Sequence, residues 1–107
     1  MKIQRLRRQI DALDRKLVAM LNRRARLSLA IGRVKAAAGA RLFNHARERE
    51  IARNVAHANR GPLTNLALQR LWKDLLQQTR AAVRRALHRK RRAQQRASEA
   101  PRRGKGR

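Results

Sequence analysis

The chain has 107 residues, with 30 Lys+Arg against 6 Asp+Glu, no cysteine, two prolines, five glycines and only Phe43 and Trp72 as aromatics. That length fits one domain, or one domain and a tail. The missing cysteine excludes disulfides, thiol catalysis and cysteine-ligated metals, and no apolar run approaches the ~18 residues of a membrane span. The net charge of +24 favours anionic partners and nonspecific adhesion to nucleic acid, without naming either as the physiological ligand. Ala, Leu, Arg and Gln dominate, which favours helix, and no β-branched or aromatic run suggests a strand. The expected class is all-α.

The first element is a long amphipathic helix from about Ile3 to about Ala38. With a heptad begun at Ile3, the a positions are Ile3, Ile10, Leu17, Arg24 and Ile31, and the d positions are Leu6, Leu13, Met20, Leu27 and Val34. This is a helix-packing seam, apolar everywhere but at Arg24. An arginine is costly to bury without an anion, and a chain this poor in acids suggests that the anion is a ligand. Gly39 is the expected stop, with Lys35 in the last turn, where the helix dipole favours a cation. Thirty-six residues of helix span ~54 Å, about twice the ~26 Å width of a compact globule of this size. Two shorter helices cannot cover such a seam, so the expected assembly is an intertwined helical homodimer.

A loop over 39–43 leads to Asn44, a good N-cap for a short second helix, with Glu48 and Glu50 near its positive end. Gly61-Pro62 makes the next turn. Thr64 or Asn65 caps a medium third helix, with Leu68, Leu71, Trp72, Leu75, Leu76, Thr79, Ala82 and Val83 as its inner stripe, running to about Arg91. Residues 84–107 hold eleven Lys/Arg and one Glu. Residues 92–107, with Pro101, Gly104 and Gly106, read as a disordered basic tail behind a helical domain over 1–91. His45, His57 and His88 lack metal-site spacing and read as surface residues, so no metal is expected. The start at Met1 carries no signal-peptide pattern, which makes the cytoplasm the expected location.

Arg24 and Lys35 are eleven residues apart, three turns plus ~20°, and so share a face. Arg7 lies beside the seam, within reach of a partner subunit, and Arg47 and Glu48 open the second helix. Converging cations suit a small dicarboxylate held by bidentate contacts. The residues alone leave open that Arg7, Lys35 and Arg47 are surface charges, that Glu48 only starts a helix, and that Thr79 is a satisfied core hydroxyl. No nucleophile–base pair, zinc motif or phosphate loop is present. An enzyme built from these parts would run chemistry needing little acid–base help.

Several segments resemble the all-helical (AroQ) class of chorismate mutase over about residues 3–90. Leu6-Arg7-Arg8-Gln9-Ile10-Asp11-Ala12-Leu13-Asp14 is similar to the family's "LR..I..LD" start. Leu21-Asn22-Arg23-Arg24 and Ile31-Gly32-Arg33-Val34-Lys35 follow, and Asn44-His45-Ala46-Arg47-Glu48-Arg49-Glu50 resembles its "D..RE.E" signature. The resemblance implies a cofactor-free, unimolecular rearrangement of chorismate to prephenate, in a dimer with two sites. By resemblance, Arg24 binds a substrate carboxylate, and Arg7 reaches another from the partner subunit. Lys35 contacts a carboxylate and the ether oxygen, Arg47 supports the carboxylate end, and Glu48 accepts a hydrogen bond from the ring hydroxyl. Thr79 stands where a serine is common.

The chain departs from the pattern twice. Asn44 replaces the usual aspartate, removing a negative charge near the ring hydroxyl. Val83 stands where a glutamine or glutamate donates to the ether oxygen, and losing one such donor costs ~10²–10³ in rate. Lys35 alone, or a neighbour such as Arg80 or Arg84, would have to compensate. Two alternatives remain. One is action on isochorismate, as a pyruvate lyase, or on 4-amino-4-deoxychorismate. The other is a basic helical nucleic-acid-binding protein, against which stand the two lone aromatics and the missing binding motif.

Overall fold

The structure, a computed structural model, describes residues 1–99, and these form three helices: α1 (Lys2–Ala37), α2 (His45–Ala58) and α3 (Asn65–Glu99). The all-α architecture of one long and one short helix agrees with the sequence reading. The third element is longer than expected.

Each boundary has a local cause. At the end of α1, Gly39 takes a left-handed φ of 69°. Ala40 N–H then donates to Lys35 O at 2.8 Å and Gly39 N–H to Ala36 O at 3.1 Å, the paired bonds of a glycine-terminated helix. Asn44 caps α2: its Oδ1 accepts from Ala46 N at 2.9 Å and Arg47 N at 3.3 Å. Thr64 does the same for α3, accepting from Ala67 N at 3.1 Å. Asn59 ties the turn between them, donating from Nδ2 to Leu63 O at 2.9 Å and Asn65 Oδ1 at 2.7 Å, and accepting from Gly61 N at 2.9 Å.

Helix α3 does not stop near Arg91 but continues to Glu99. Residues 92–99 contain Ala, Gln, Arg, Ser and Glu and no Gly or Pro, and most of these are good helix formers. The dense positive charge suggested disorder, yet nothing in the sequence breaks the helix there. The rest of the expected tail, residues 100–107, lies outside the described residues. Leu71, placed on the inner stripe by spacing, is 55% exposed.

Helix α3 is the centre of the chain. It packs against α1 and against α2, while no Cα atoms of α1 and α2 come within 8 Å of each other. Among the described residues the buried positions are Gly32, Thr79 and Val83. Helices α1 and α3 approach closely at Gly32 and Val83: a Cβ added to Gly32 would lie 2.8 Å from Val83 Cγ1. Valine in a helix has one preferred rotamer and yields poorly. Overpacking costs about 1–3 kcal/mol, whereas Gly→Ala in a helix otherwise gains about 1 kcal/mol. We predict that Gly32→Ala lowers the thermal midpoint of the native protein but raises it in a Val83→Ala background. A rise in both backgrounds would show that the contact does not constrain the helices.

The rest of α1 is uncovered. Ile3, Leu6, Ile10, Leu13, Leu17 and Met20 are each 50–60% exposed. The chain measures 76 × 39 × 16 Å with a radius of gyration of 20.6 Å, against ~13 Å for a compact chain of 100 residues. A single chain folded this way leaves its longest apolar seam in water.

Candidate active site

Where the last turns of α1 meet the start of α2 and the middle of α3, a cavity of about 160 Å³ forms. Helix α1 supplies Arg24, Ser28, Gly32 and Lys35 to its wall. These positions rise by four, four and three residues, the spacing that stacks side chains on one helical face. The 38–44 connection brings in Phe43 and Asn44, α2 contributes Arg47 and Glu48, and α3 contributes Thr79, Arg80 and Val83.

Of the eight residues singled out from the sequence, seven line this one cavity: Arg24, Lys35, Asn44, Arg47, Glu48, Thr79 and Val83. Arg7 does not. It lies seventeen residues before Arg24 on the same helix, about 26 Å along the axis, and its side chain is exposed. Within one chain it has no route to the cavity.

The polar groups are organised unequally. Lys35 Nζ donates to Leu42 O at 3.4 Å, drawing the lysine toward the loop. Asn44 commits its Oδ1 to the α2 cap. Arg47 pairs with Glu50 one turn on, with both side chains more than half exposed. Such a surface pair contributes little, so Arg47 can exchange Glu50 for an anion at low cost. Thr79 Oγ1 donates to Leu75 O at 2.8 Å. Val83 is 3% exposed and packs on Gly32.

Arg80 is the group that spacing did not single out as a primary site residue. Its Nη1 pairs with Glu48 Oε1 across the α2–α3 interface, both side chains being about one-quarter exposed. The two are 32 residues apart, so only the rotation of α3 against α2 reveals the pair. Arg84, the other neighbour considered, is elsewhere: its guanidinium carbon lies 4.9 Å from the centroid of the Phe43 ring. Arg24 and Lys35 have no carboxylate partner among the described residues. Four cations and one carboxylate therefore face the cavity, a field that attracts anions. No group of three or more His, Cys, Asp or Glu residues able to hold a metal occurs among the described residues.

Beside this cavity an open groove of about 450 Å³ shares Arg24, Arg47 and Ile51, and is otherwise lined largely by Val55, Leu68, Trp72 and Asn59. It extends the site toward solvent along α2.

Fold and cavity together define a small all-helical protein with a cationic site. The sequence matches the family described as chorismate mutase type II over residues 6–84. The chain belongs to that family. It is similar to the solved chorismate mutase of Thermus thermophilus. Against form II the TM-score is 0.77 at 27% identity, covering 79% of this chain and 97% of the other. Against form I the TM-score is 0.72 at 28% identity, with coverages of 74% and 99%. A bifunctional chorismate mutase/prephenate dehydratase of Stutzerimonas stutzeri is 28% identical over 80 residues, 70% of this chain. The match spans 22% of that relative's length.

Proposed function

We propose that the chain is a chorismate mutase acting as a homodimer, converting chorismate to prephenate by electrostatic stabilisation alone. The observation that carries this reading is one cavity holding Arg24, Lys35, Arg47 and Glu48 in a chain of this family. The reaction breaks an ether C–O bond and forms a C–C bond within one molecule. It needs a compact conformer held in place and a stabilised oxygen, not a nucleophile or cofactor. Arg24 and Arg47 grip carboxylates, Lys35 serves a carboxylate and the ether oxygen, and Glu48 Oε2 accepts from the ring hydroxyl. Thr79 and Val83 shape the wall, and Asn44 sets the start of α2. No described helix is long and apolar enough to cross a membrane, and we place the enzyme in the cytoplasm.

The uncovered α1 seam supports the dimer. A second copy would cover Ile3 through Met20 and carry its own Arg7 toward the groove beside Arg24, completing each site with a residue of the other chain. Purified full-length protein incubated with chorismate tests the function, with chorismate loss and product identity followed together. Prephenate is the expected product. Pyruvate released from isochorismate, or turnover of 4-amino-4-deoxychorismate alone, would assign the chain to an analogue instead. The uncharged Asn44 beside the ring-hydroxyl position is the feature that would permit this.

A secondary property rests on α3. At 100° per residue, Arg84, Arg85, Arg89, Arg91, Arg92 and Arg96 fall within an arc of about 160°, opposite the face that packs through Val83 and Leu87, and all six are exposed. Such a stripe adheres to nucleic acid through phosphates. If all six engage, log Kd against log salt has a slope of magnitude about 5. We predict that Arg89→Gln/Arg92→Gln/Arg96→Gln reduces that magnitude by about 3 with mutase activity retained. An unchanged slope by fluorescence anisotropy with duplex DNA would place the adhesion elsewhere.

A further inference from the structure

When an ether C–O bond breaks ahead of the new C–C bond, negative charge gathers on the departing oxygen, and a donor placed there lowers the barrier. Helix α3 supplies Leu76, Thr79, Arg80 and Val83 to the cavity wall. Two of these are hydrocarbon. Thr79 has one hydroxyl hydrogen, and it is directed to Leu75 O at 2.8 Å. Arg80 is left as the one α3 side chain with N–H donors at the cavity. Its side chain is 27% exposed and is held from the facing helix by Glu48. That pair engages Nη1 of a guanidinium that carries five N–H donors, so most remain free in a fork whose orientation is fixed in advance. Glu48 pairs through Oε1, and its Oε2 stays open to a ligand. Arg84 is turned to Phe43 and does not line the cavity.

We propose that Arg80 is a catalytic residue: it donates a hydrogen bond to the ether oxygen in the transition state, the role Val83 cannot perform, with Glu48 as the positioning residue that holds its guanidinium. This rests on the mutase reading above. Arg80 transfers no proton. The electron pair of the C–O bond and the two π bonds redistribute within the substrate, and every atom stays in one molecule. Lys35, from α1 on the other wall, and Arg80, from α3, bracket the oxygen between two cations.

The test is steady-state kinetics on the full chain with chorismate, comparing the native protein with Arg80→Ala, Arg80→Lys, Val83→Gln and the double variant Arg80→Ala/Val83→Gln. Arg80→Ala is expected to lower kcat by about 10²–10³, with KM changed less than tenfold. Arg80→Lys, which keeps a donor, retains at least tenfold more kcat than Arg80→Ala. Adding Val83→Gln to Arg80→Ala restores kcat at least tenfold, a gain at least ten times larger than the same substitution gives when Arg80 is present. A kcat for Arg80→Ala within threefold of the native value would overturn the proposal. So would equal gains from Val83→Gln in both backgrounds, or equal kcat for the lysine and alanine variants. A folded double variant without rescue would reduce Arg80 to a prop for Glu48 and overturn its contact with the oxygen. Native protein that yields no prephenate would instead refute the mutase reading itself, and the proposal with it.

Discussion

Leu13→Lys is expected to separate the two chains of the proposed dimer and to abolish the proposed turnover in the same step. Leu13 occupies a d position midway along the first half of α1 and is 58% exposed in one chain. Burying such a side chain is worth about 1.5–3 kcal/mol. In a two-fold interface the loss occurs twice, so about 3–6 kcal/mol leaves the association, roughly 10²–10⁴ in the dimer Kd. The desolvated ammonium adds to that. Activity is expected to go with association, because in the proposed dimer the partner's Arg7 would leave each site. Helicity is expected to fall on dilution too, since a lone chain has Val83 as its one buried large apolar side chain among the described residues. Sedimentation equilibrium and prephenate formation on one preparation check this. A dimeric, fully active Leu13→Lys protein would show that α1 is not the interface.

The second large effect is at Arg24. It is the one charged residue in the α1 seam, half-buried, and it lines both the cavity and the groove beside it. Removing one member of a desolvated charge pair costs about 2–5 kcal/mol, a loss of roughly 30- to 4,000-fold in affinity. Arg24→Ala is predicted to lose that affinity for an oxabicyclic dicarboxylate transition-state analogue, while sedimentation still shows a dimer. Calorimetry giving native affinity would remove Arg24 from the carboxylate site and return it to a role in helix register.

Both effects start from residues that stand out in the sequence, and the reason is periodicity. A repeat of seven marks the α1 seam and isolates Arg24 within it, and an interval of eleven places Lys35 on the same face. Caps such as Asn44 and Thr64 act within three residues, so local sequence reveals them. What local sequence could not supply was rotation. Leu71 fits the apolar spacing of α3 yet faces water, and Arg80 and Arg84 stand as equal substitutes for the missing donor until α3 is set against α2. Charge misled once: the arginines after Arg91 suggested disorder, while the composition beneath them kept α3 helical to Glu99. Arg7 stayed apart for another reason. Its proposed site belongs to two chains, and one chain can show only how far Arg7 lies from it.

Helices α1 and α2 are neighbours of α3 and strangers to each other. Arg24 and Lys35 stand on one of them and Arg47 and Glu48 on the other, and the Lys35–Leu42 hydrogen bond reaches only the loop that joins them. A dianion gripped from both sides would act as the keystone of an arch that the protein leaves open. Ligation would then be tertiary structure, and occupancy would register as resistance to heat. At a hundred times Kd, a ligand that binds only the folded state adds about 2.7 kcal/mol to stability. For a chain with so small a core, its substrate would rank among its main structural supports.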